Sequence, residues 1–525
     1  MHYILRTVVS KQGFIFIVVY ACVTALWLII FQRFSIINHD VAANYVYSEN
    51  ILSGLTPYSD FFDQNLPVIW FVGLLPALIA QSGLLSDIHA IMLCGIVVTL
   101  VSVWSGMRSY IQCYGNVKSL VIGALFFYMM LLFSGYEVFQ REYMTVCFLL
   151  PMISMPGNRQ TGYWRNAIAG CIAGIGISIK PHFMLVLVML YLWSIWQDKK
   201  LYSVTMRPLL FSFGTTVGIW MLILVLYPQY FDMLTLARAT YTKGVGVLSL
   251  ANSAKVVILF NMAYIVCRHV VRGQYTNRTS HNFYIASCAF LIIALVQGKG
   301  FGYHFYPALF FSAGALVGLV FELNPTVVLG RNRIKRLHVI ILVSGFMITF
   351  GGLYFVRAIH KTYNNYVLMT RDVIESLQEI QKSKNQNHHP VTVYNLSTNV
   401  PPVSQICLEA GYTSVASFEC LWFLGGFHNT EQLHNGKVQC RPPKDSLEAV
   451  WYNHIIRDVI EKKPDYILTD VNESQMFFIH KGFSTLGYYS QNDVFRTLIT
   501  TKYDTVYHRN YTLILGLREQ YRYKH

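Results

Sequence analysis

The stretch SIINHDVAANYVYSENILSGLTPYSDFFDQNLP, Ser35 to Pro67, follows almost directly on GFIFIVVYACVTALWLIIF, Gly13 to Phe31. The apolar run has the length and polarity of one bilayer crossing, so the polar stretch begins at a membrane surface. Asp40 sits a few residues past that surface and Glu49 follows it; Asp60 and Asp63 come after the turn-forming Gly54 and Pro57. Carboxylates held between an apolar anchor and an apolar remainder are where chemistry is expected.

The remainder is indeed apolar. Of 525 residues, 54% are hydrophobic, 15% aromatic and 13% charged, against about 25% charged in soluble domains. The chain is therefore expected to be an α-helical polytopic membrane protein, because its apolar runs are continuous where barrel strands would alternate. The formal charge of +15 does not require nucleic acid as a partner. Many of the basic residues lie in short clusters between apolar runs, as the positive-inside bias demands. The N-terminus MHYILRTVVSK leads into its apolar run without a small-residue cleavage site, which reads as an uncleaved first helix. Seven of the ten cysteines fall in or beside apolar runs. Cys407, Cys420 and Cys440 lie in the polar C-terminal part, where one disulfide is compatible with an oxidising compartment.

Further apolar segments lie near 67–85, 88–107, 119–135, 143–155, 166–180, 183–196, 208–226, 255–267, 282–297, 305–321 and 338–356. Counting each as a crossing scatters the basic connectors over both sides. The pattern becomes consistent if the Pro67 to Leu85 segment, interrupted by Pro67 and Pro76, is re-entrant or juxtamembrane. About eleven crossings with an inner N-terminus then follow. The loops at 34–66, 134–143, 180–182, 227–254 and 298–307 all fall on the outer face, as does everything from Arg357.

Two domains are expected: 1–356, with 34–66 as its first outer loop, and 357–525. In the latter, RDVIESLQEIQKS has helical spacing, VTVYNL and DYILTD read as short buried strands, and IRDVIEKKP is a helix with a proline stop. A small α/β extracytoplasmic domain is the natural outcome. It contains no phosphate-binding glycine loop, CxxC pair or HExxH. Asn395, Asn472 and Asn510 each open an Asn-X-Ser/Thr triplet, relevant where the host glycosylates such sites.

Several groups are candidates for chemistry. Asp40 suits a base that takes a proton from an acceptor hydroxyl, or a ligand to a divalent cation such as Mg or Mn; its alternative role is a solvated residue or cap before the helix AANYVYSENIL. Glu137, Arg141 and Glu142 are wedged between apolar runs, where charges pair or line a wet cavity. Lys180 and His182 flank Pro181, and Lys299 and His304 lie in QGKGFGYHFYP. Cations at outer helix ends suit a phosphate or diphosphate; the alternative for the lysines is snorkelling to headgroups. Most of the 35 Tyr, 34 Phe and 9 Trp belong to interfacial belts and packing, while outer-loop rings such as Tyr58 and Tyr303 are also suited to stacking on a sugar.

An N-terminal helix, an outer loop opening with a carboxylate, many further helices and an outer C-terminal domain resemble the glycosyltransferase C superfamily. The loop is similar to that of the branch containing protein mannosyltransferases and the aminoarabinose transferase, through Asp40, Ala42 and Ala43, Gly54, Pro57 and Tyr58, then Pro67. The resemblance implies that Asp40 is the catalytic base and that Glu142 or Glu137 takes a second acidic role. Here the sequence reads QRE where many members have Asp, and Leu66-Pro67 where Pro-Pro is usual. Lys180, Lys299 and His304 would contact the donor phosphate, and Arg141 and His182 are further candidates for substrate binding.

The expected function is thus an inverting glycosyltransferase in a bacterial inner membrane. It would take its sugar from a polyprenyl phosphate donor and pass it, at the periplasmic face, to a glycan, lipid or protein acceptor in cell envelope biogenesis. The alternatives are a flippase or transporter of a polyprenyl-linked glycan, which requires a polar path inward, and a membrane scaffold with an outer binding domain, which would tolerate loss of Asp40.

Overall fold

The computed structural model describes residues 37–114, 116–134, 137–155, 162–200, 206–240, 246–270, 279–322, 368–383, 391–428, 433–434, 437–438, 440–470, 482–509 and 512–518. The expected crossings at 13–31 and 338–356 lie outside the described residues, as do Asn472 and Asn510. Contacts divide the chain into two compact units: 1–35, 91–223 and 243–362 in the first, and 36–90, 224–242 and 363–525 in the second.

The first unit is a helical bundle. Among the described residues, five helices are long and apolar enough to cross a bilayer: Asp87–Arg108, Arg207–Leu226, Val247–Val270, Thr279–Gln297 and Gly302–Glu322. The helix Gly302–Glu322 is buried along most of its length and packs against Thr279–Gln297. Arg207–Leu226 instead leaves Phe213, Met221, Leu222 and Val225 exposed, as expected of a helix facing hydrocarbon. Three other expected crossings are shorter helices, Arg141–Ile153, Tyr163–Ser178 and Met184–Asp198, of 13, 16 and 15 residues. Helix contact depends on small residues. A methyl group added at Gly174 would lie 2.7 Å from the Ser212 carbonyl, and Thr216 Oγ1 donates to the Gly174 carbonyl at 3.0 Å.

The second unit joins residues 36–90 and 224–242 to the C-terminal part in one core. Asn38 starts the helix His39–Leu52 by accepting from the Asp40 and Val41 N–H groups at 2.8 and 3.3 Å. Gly54, at φ +87°, turns the chain after it. The segment expected to be re-entrant is the helix Val68–Gln81 with Pro76 inside it; its 14 residues are too few to span. The two helices are joined by Ser48 Oγ donating to the Trp70 carbonyl at 2.8 Å. A core of Tyr47, Tyr58, Phe61 and Trp70 rings lies between them.

The C-terminal part is an α/β layer, as its strand and helix spacing predicts. Strands β1 (Thr392–Leu396), β2 (Thr413–Ser414), β3 (Tyr466–Asp470), β4 (Tyr503–Arg509) and β5 (Thr512–Leu517) form a sheet of order β2-β1-β3-β5-β4. The pairs β2/β1 and β1/β3 are parallel, while β3/β5 and β5/β4 are antiparallel. The helix Ser446–Lys462 begins at Asp445, which accepts from the Glu448 N–H, and stops before Pro464. Three hydrogen bonds tie the loop to this part: Gln405 Nε2 to the Ile37 carbonyl at 2.7 Å, Phe62 N to the Ser417 carbonyl at 2.7 Å, and Glu419 N to Tyr47 Oη at 3.3 Å. Cys407, Cys420 and Cys440 are free thiols. Asn395 is fully buried and donates to the Asn399 and Glu419 carbonyls, so its triplet offers no acceptor amide.

Candidate active site

In the first unit the charged residues come together from four separate segments. Gln140 caps the helix Arg141–Ile153 by accepting from the Glu142 N–H at 3.2 Å, which puts Arg141 and Glu142 in its first turn. A carboxylate is favoured at that end of a helix. Lys180 follows the helix Tyr163–Ser178 in extended conformation, and Pro181–Phe183 form a single tight turn that starts the next helix. Lys299 lies between Gly298 and Gly300, both in the left-handed region at φ +64° and +67°. His304 is in the first turn of Gly302–Glu322.

Glu142 is the centre of this group. Its Oε1 lies 2.5 Å from Lys180 Nζ and 3.9 Å from His304 Nε2, and its side chain is only 2% exposed. Arg141, Lys180 and His304 are buried as well. Lys180 Nζ also lies 5.9 Å from the Phe183 ring centre and 6.0 Å from that of Tyr303. Tyr303 stacks on Phe301 and meets His304 edge-on at 4.4 Å. The charges of Lys180, Arg141 and Lys299 all act on His304. His182 contacts Gln297. Partial burial, and then the charges of Lys180 and Arg141, push its imidazole down to about 3, so at neutral pH it supplies a hydrogen-bonding group and no charge. Burial also lowers Lys299. Two buried atoms of the cluster, Glu142 Oε2 and His304 Nδ1, have no hydrogen-bond partner among the described residues. Glu137 is half-buried in the turn before Gln140, whose N–H it binds through its carbonyl.

Asp40 and Tyr58 belong to the second unit. Asp40 lies in the first turn of its helix, with its side chain 14% exposed and an oxygen 3.8 Å from His39 Nε2. The capping role falls to Asn38. Other carboxyls share its surroundings. Glu49 is pushed up to about 8 by burial and then by Asp87 and Glu419; Glu419 is raised to about 7 by burial and to a lesser extent by Asp63. Asp40, Asp63 and Glu419 all act on the Cys420 thiol. Glu419 is a member of this group that the sequence analysis did not single out. Its signal was a lone carboxylate in the apolar run SFECLWF. The Tyr58 ring is 1% exposed, packed on Trp70, Tyr227 and Tyr230, and its hydroxyl donates to the Asn65 carbonyl at 2.5 Å. It is thus taken up by the core of this unit. Among the described residues, no three His, Cys, Asp or Glu side chains converge as a metal site.

The apolar helices, the segment 36–90 and the terminal sheet among the described residues are those of a multi-pass membrane protein. The fold is similar to that of a solved structure, the crystal structure of ArnT from Cupriavidus metallidurans bound to undecaprenyl phosphate. It matches at a TM-score of 0.53 over 97% of this chain and 98% of that one, with 10% identity. The archaeal oligosaccharyltransferase AglB from Archaeoglobus fulgidus, in complex with an inhibitory peptide and a dolichol-phosphate, aligns at 0.43 over 86% and 69% of the two chains with 11% identity. No protein-family model matches the sequence, and no curated protein sequence matches it.

Proposed function

We propose that the protein is an inverting glycosyltransferase of the bacterial inner membrane. It would move a sugar from a polyprenyl phosphate donor to an envelope glycan, glycolipid or protein acceptor at the periplasmic face. The observation that carries this reading is the buried Glu142, Lys180 and His304 cluster, with Arg141 and Lys299 acting on it, at the ends of apolar helices. Cations kept out of bulk water at such a position match a phosphate leaving group, whose charge grows as its bond to the sugar breaks. Glu142 Oε2 and His304 Nδ1, buried and without a hydrogen-bond partner among the described residues, are polar groups suited to a ligand or ordered water.

In the reaction, Asp40 accepts the proton of the acceptor hydroxyl as its oxygen attacks the anomeric carbon. The carbon–oxygen bond to phosphate breaks, the configuration inverts, and the polyprenyl phosphate leaves with the electron pair. Arg141, Lys180 and Lys299 stabilise that phosphate, and His304 and His182 are hydrogen-bonding partners for it. Glu142 fixes the Lys180 ammonium, leaving Glu137 as the candidate for a second acidic role. A lipid donor suits a compartment without nucleotide sugars. Residues 1–356 as the catalytic membrane part and 357–525 as the periplasmic domain belong to the same proposal.

The test is sugar transfer from a radiolabelled polyprenyl phosphate sugar in proteoliposomes at matched protein levels. Asp40→Asn is expected to lose about 10²–10⁴-fold in rate while still binding donor. Lys180→Ala should weaken donor binding at least about tenfold. Equal transfer by wild type and Asp40→Asn would remove Asp40 from the chemistry and move the base to Glu137 or Glu142. Absence of transfer by every form, across donors and acceptors, would favour a transporter of the same lipid.

A further inference from the structure

A cavity of about 440 Å³ opens within the second unit, in the size range of small-ligand sites. The end of the helix His39–Leu52, the turn that follows it, the chain after β2 and one face of the helix Ser446–Lys462 form its walls. It involves none of the residues assigned above to catalysis or donor binding.

The floor of the cavity is fixed. Asp458, 8% exposed, accepts from Tyr394 Oη at 2.9 Å and from Ser417 N and Oγ at 3.1 and 2.5 Å, and pairs with Lys462 Nζ at 2.5 Å. With those two charges engaged by each other, the charged groups that face a ligand are Arg457, Glu461 and Asp60, all exposed; Asp60 Oδ2 already accepts from the Thr56 N–H at 2.7 Å and Arg457 Nη2 lies 3.4 Å from His454 Nδ1, which leaves their remaining atoms to it. His454 supplies no countercharge, since burial holds its imidazole below the usual range. The wall therefore carries a slight excess of negative charge, which disfavours phosphates and other anions. Phe61, 1% exposed, offers no ring face, and the apolar share of the lining comes from Leu55, 43% exposed, with Val415 and Ala416.

Hydroxyl groups suit this wall. A sugar hydroxyl both donates and accepts, so adjacent hydroxyls can bind a carboxylate and a guanidinium together. The exposed Ser53, Ser59 and Thr413 extend the same mixed character around the rim. We infer that this cavity binds a neutral, polyhydroxylated glycan segment, with Glu461 and Asp60 accepting from sugar hydroxyls and Arg457 donating to them. It thereby forms an acceptor-docking subsite in the outer part of the enzyme. The acceptor role rests on the proposed transferase function; the binding does not.

The experiment uses the full chain in a detergent without a sugar headgroup. Binding of maltotriose, chitotriose and their monosulfated counterparts is measured by saturation-transfer NMR and titration. At least one neutral trisaccharide should bind, its sulfated form more weakly. Glu461→Gln and Arg457→Gln should each weaken binding at least about tenfold, the loss of one charged hydrogen bond. Both positions are exposed, and unchanged thermal unfolding verifies that the variants are folded. Failure of both neutral sugars to bind, tighter binding of the sulfated forms, or unchanged affinity in both variants would overturn the inference. Saccharide binding without any transfer activity would refute the transferase reading and leave the cavity assignment standing; transfer without saccharide binding would do the reverse.

Discussion

Replacing Glu142 by Met tests whether the buried pair is what holds Lys180. The carboxylate lies 2.5 Å from the ammonium, with side chains 2% and 9% exposed, so neither charge has bulk water to fall back on. Removing Glu142 takes away the carboxylate that balances the ammonium, in a region where Arg141 and Lys299 already act on the neighbouring His304. Breaking one side of a buried pair costs about 3–5 kcal/mol. Replacing both partners removes the ammonium as well, so Glu142→Met with Lys180→Met is expected to return to within about 1 kcal/mol of wild type. Unfolding in detergent, followed by the fluorescence of the 9 tryptophans, measures all four corners of this cycle. A loss below about 1 kcal/mol in Glu142→Met, as for a surface pair, would refute the argument, as would a double variant that merely sums the two singles. Transfer activity separates stability from function, because the restored double variant still lacks the phosphate-binding cation and should remain inactive.

Glu49 at about 8 and Glu419 and Glu409 at about 7 stand above the usual 4.5. The native state thus keeps protons that the unfolded chain has released, and stability is full below about pH 4.5 and falls as pH rises through 7 to 8. The unfolding temperature of the second unit should decline between pH 5 and 8, and Glu49→Gln should flatten the upper part of that decline; a rise over this window would contradict the assignment. Asn395, with no exposed surface, should remain unmodified in a glycosylating host, which mass spectrometry of the peptide containing it decides. Cys407 and Cys420 are buried free thiols. They should resist a membrane-impermeant maleimide until the protein is denatured, and fast labelling of either in the native protein would show the core to be open.

The helices were legible because apolar length is a one-dimensional property: the runs near 208–226, 282–297 and 305–321 reappear as Arg207–Leu226, Thr279–Gln297 and Gly302–Glu322. The charged cluster was legible for a related reason. Arg141, Glu142, Lys180 and Lys299 each interrupt or border hydrocarbon-like sequence, where a charge needs a partner, and the only open question was which partner. Nothing in the spacing names that partner; the structure pairs Glu142 with Lys180, 38 residues away. Distance along the chain also hid Glu419, which joins the carboxyls of the segment 36–90 only because that segment and the C-terminal part fold as one core. Tyr58 illustrates the opposite failure. As an aromatic residue in a polar loop it reads as a sugar-stacking surface, yet its left-handed backbone at φ +62° turns the ring into contact with Trp70, Tyr227 and Tyr230. Side-chain type indicates which chemistry a residue can perform; whether a face remains for a substrate depends on packing partners that come from elsewhere in the chain.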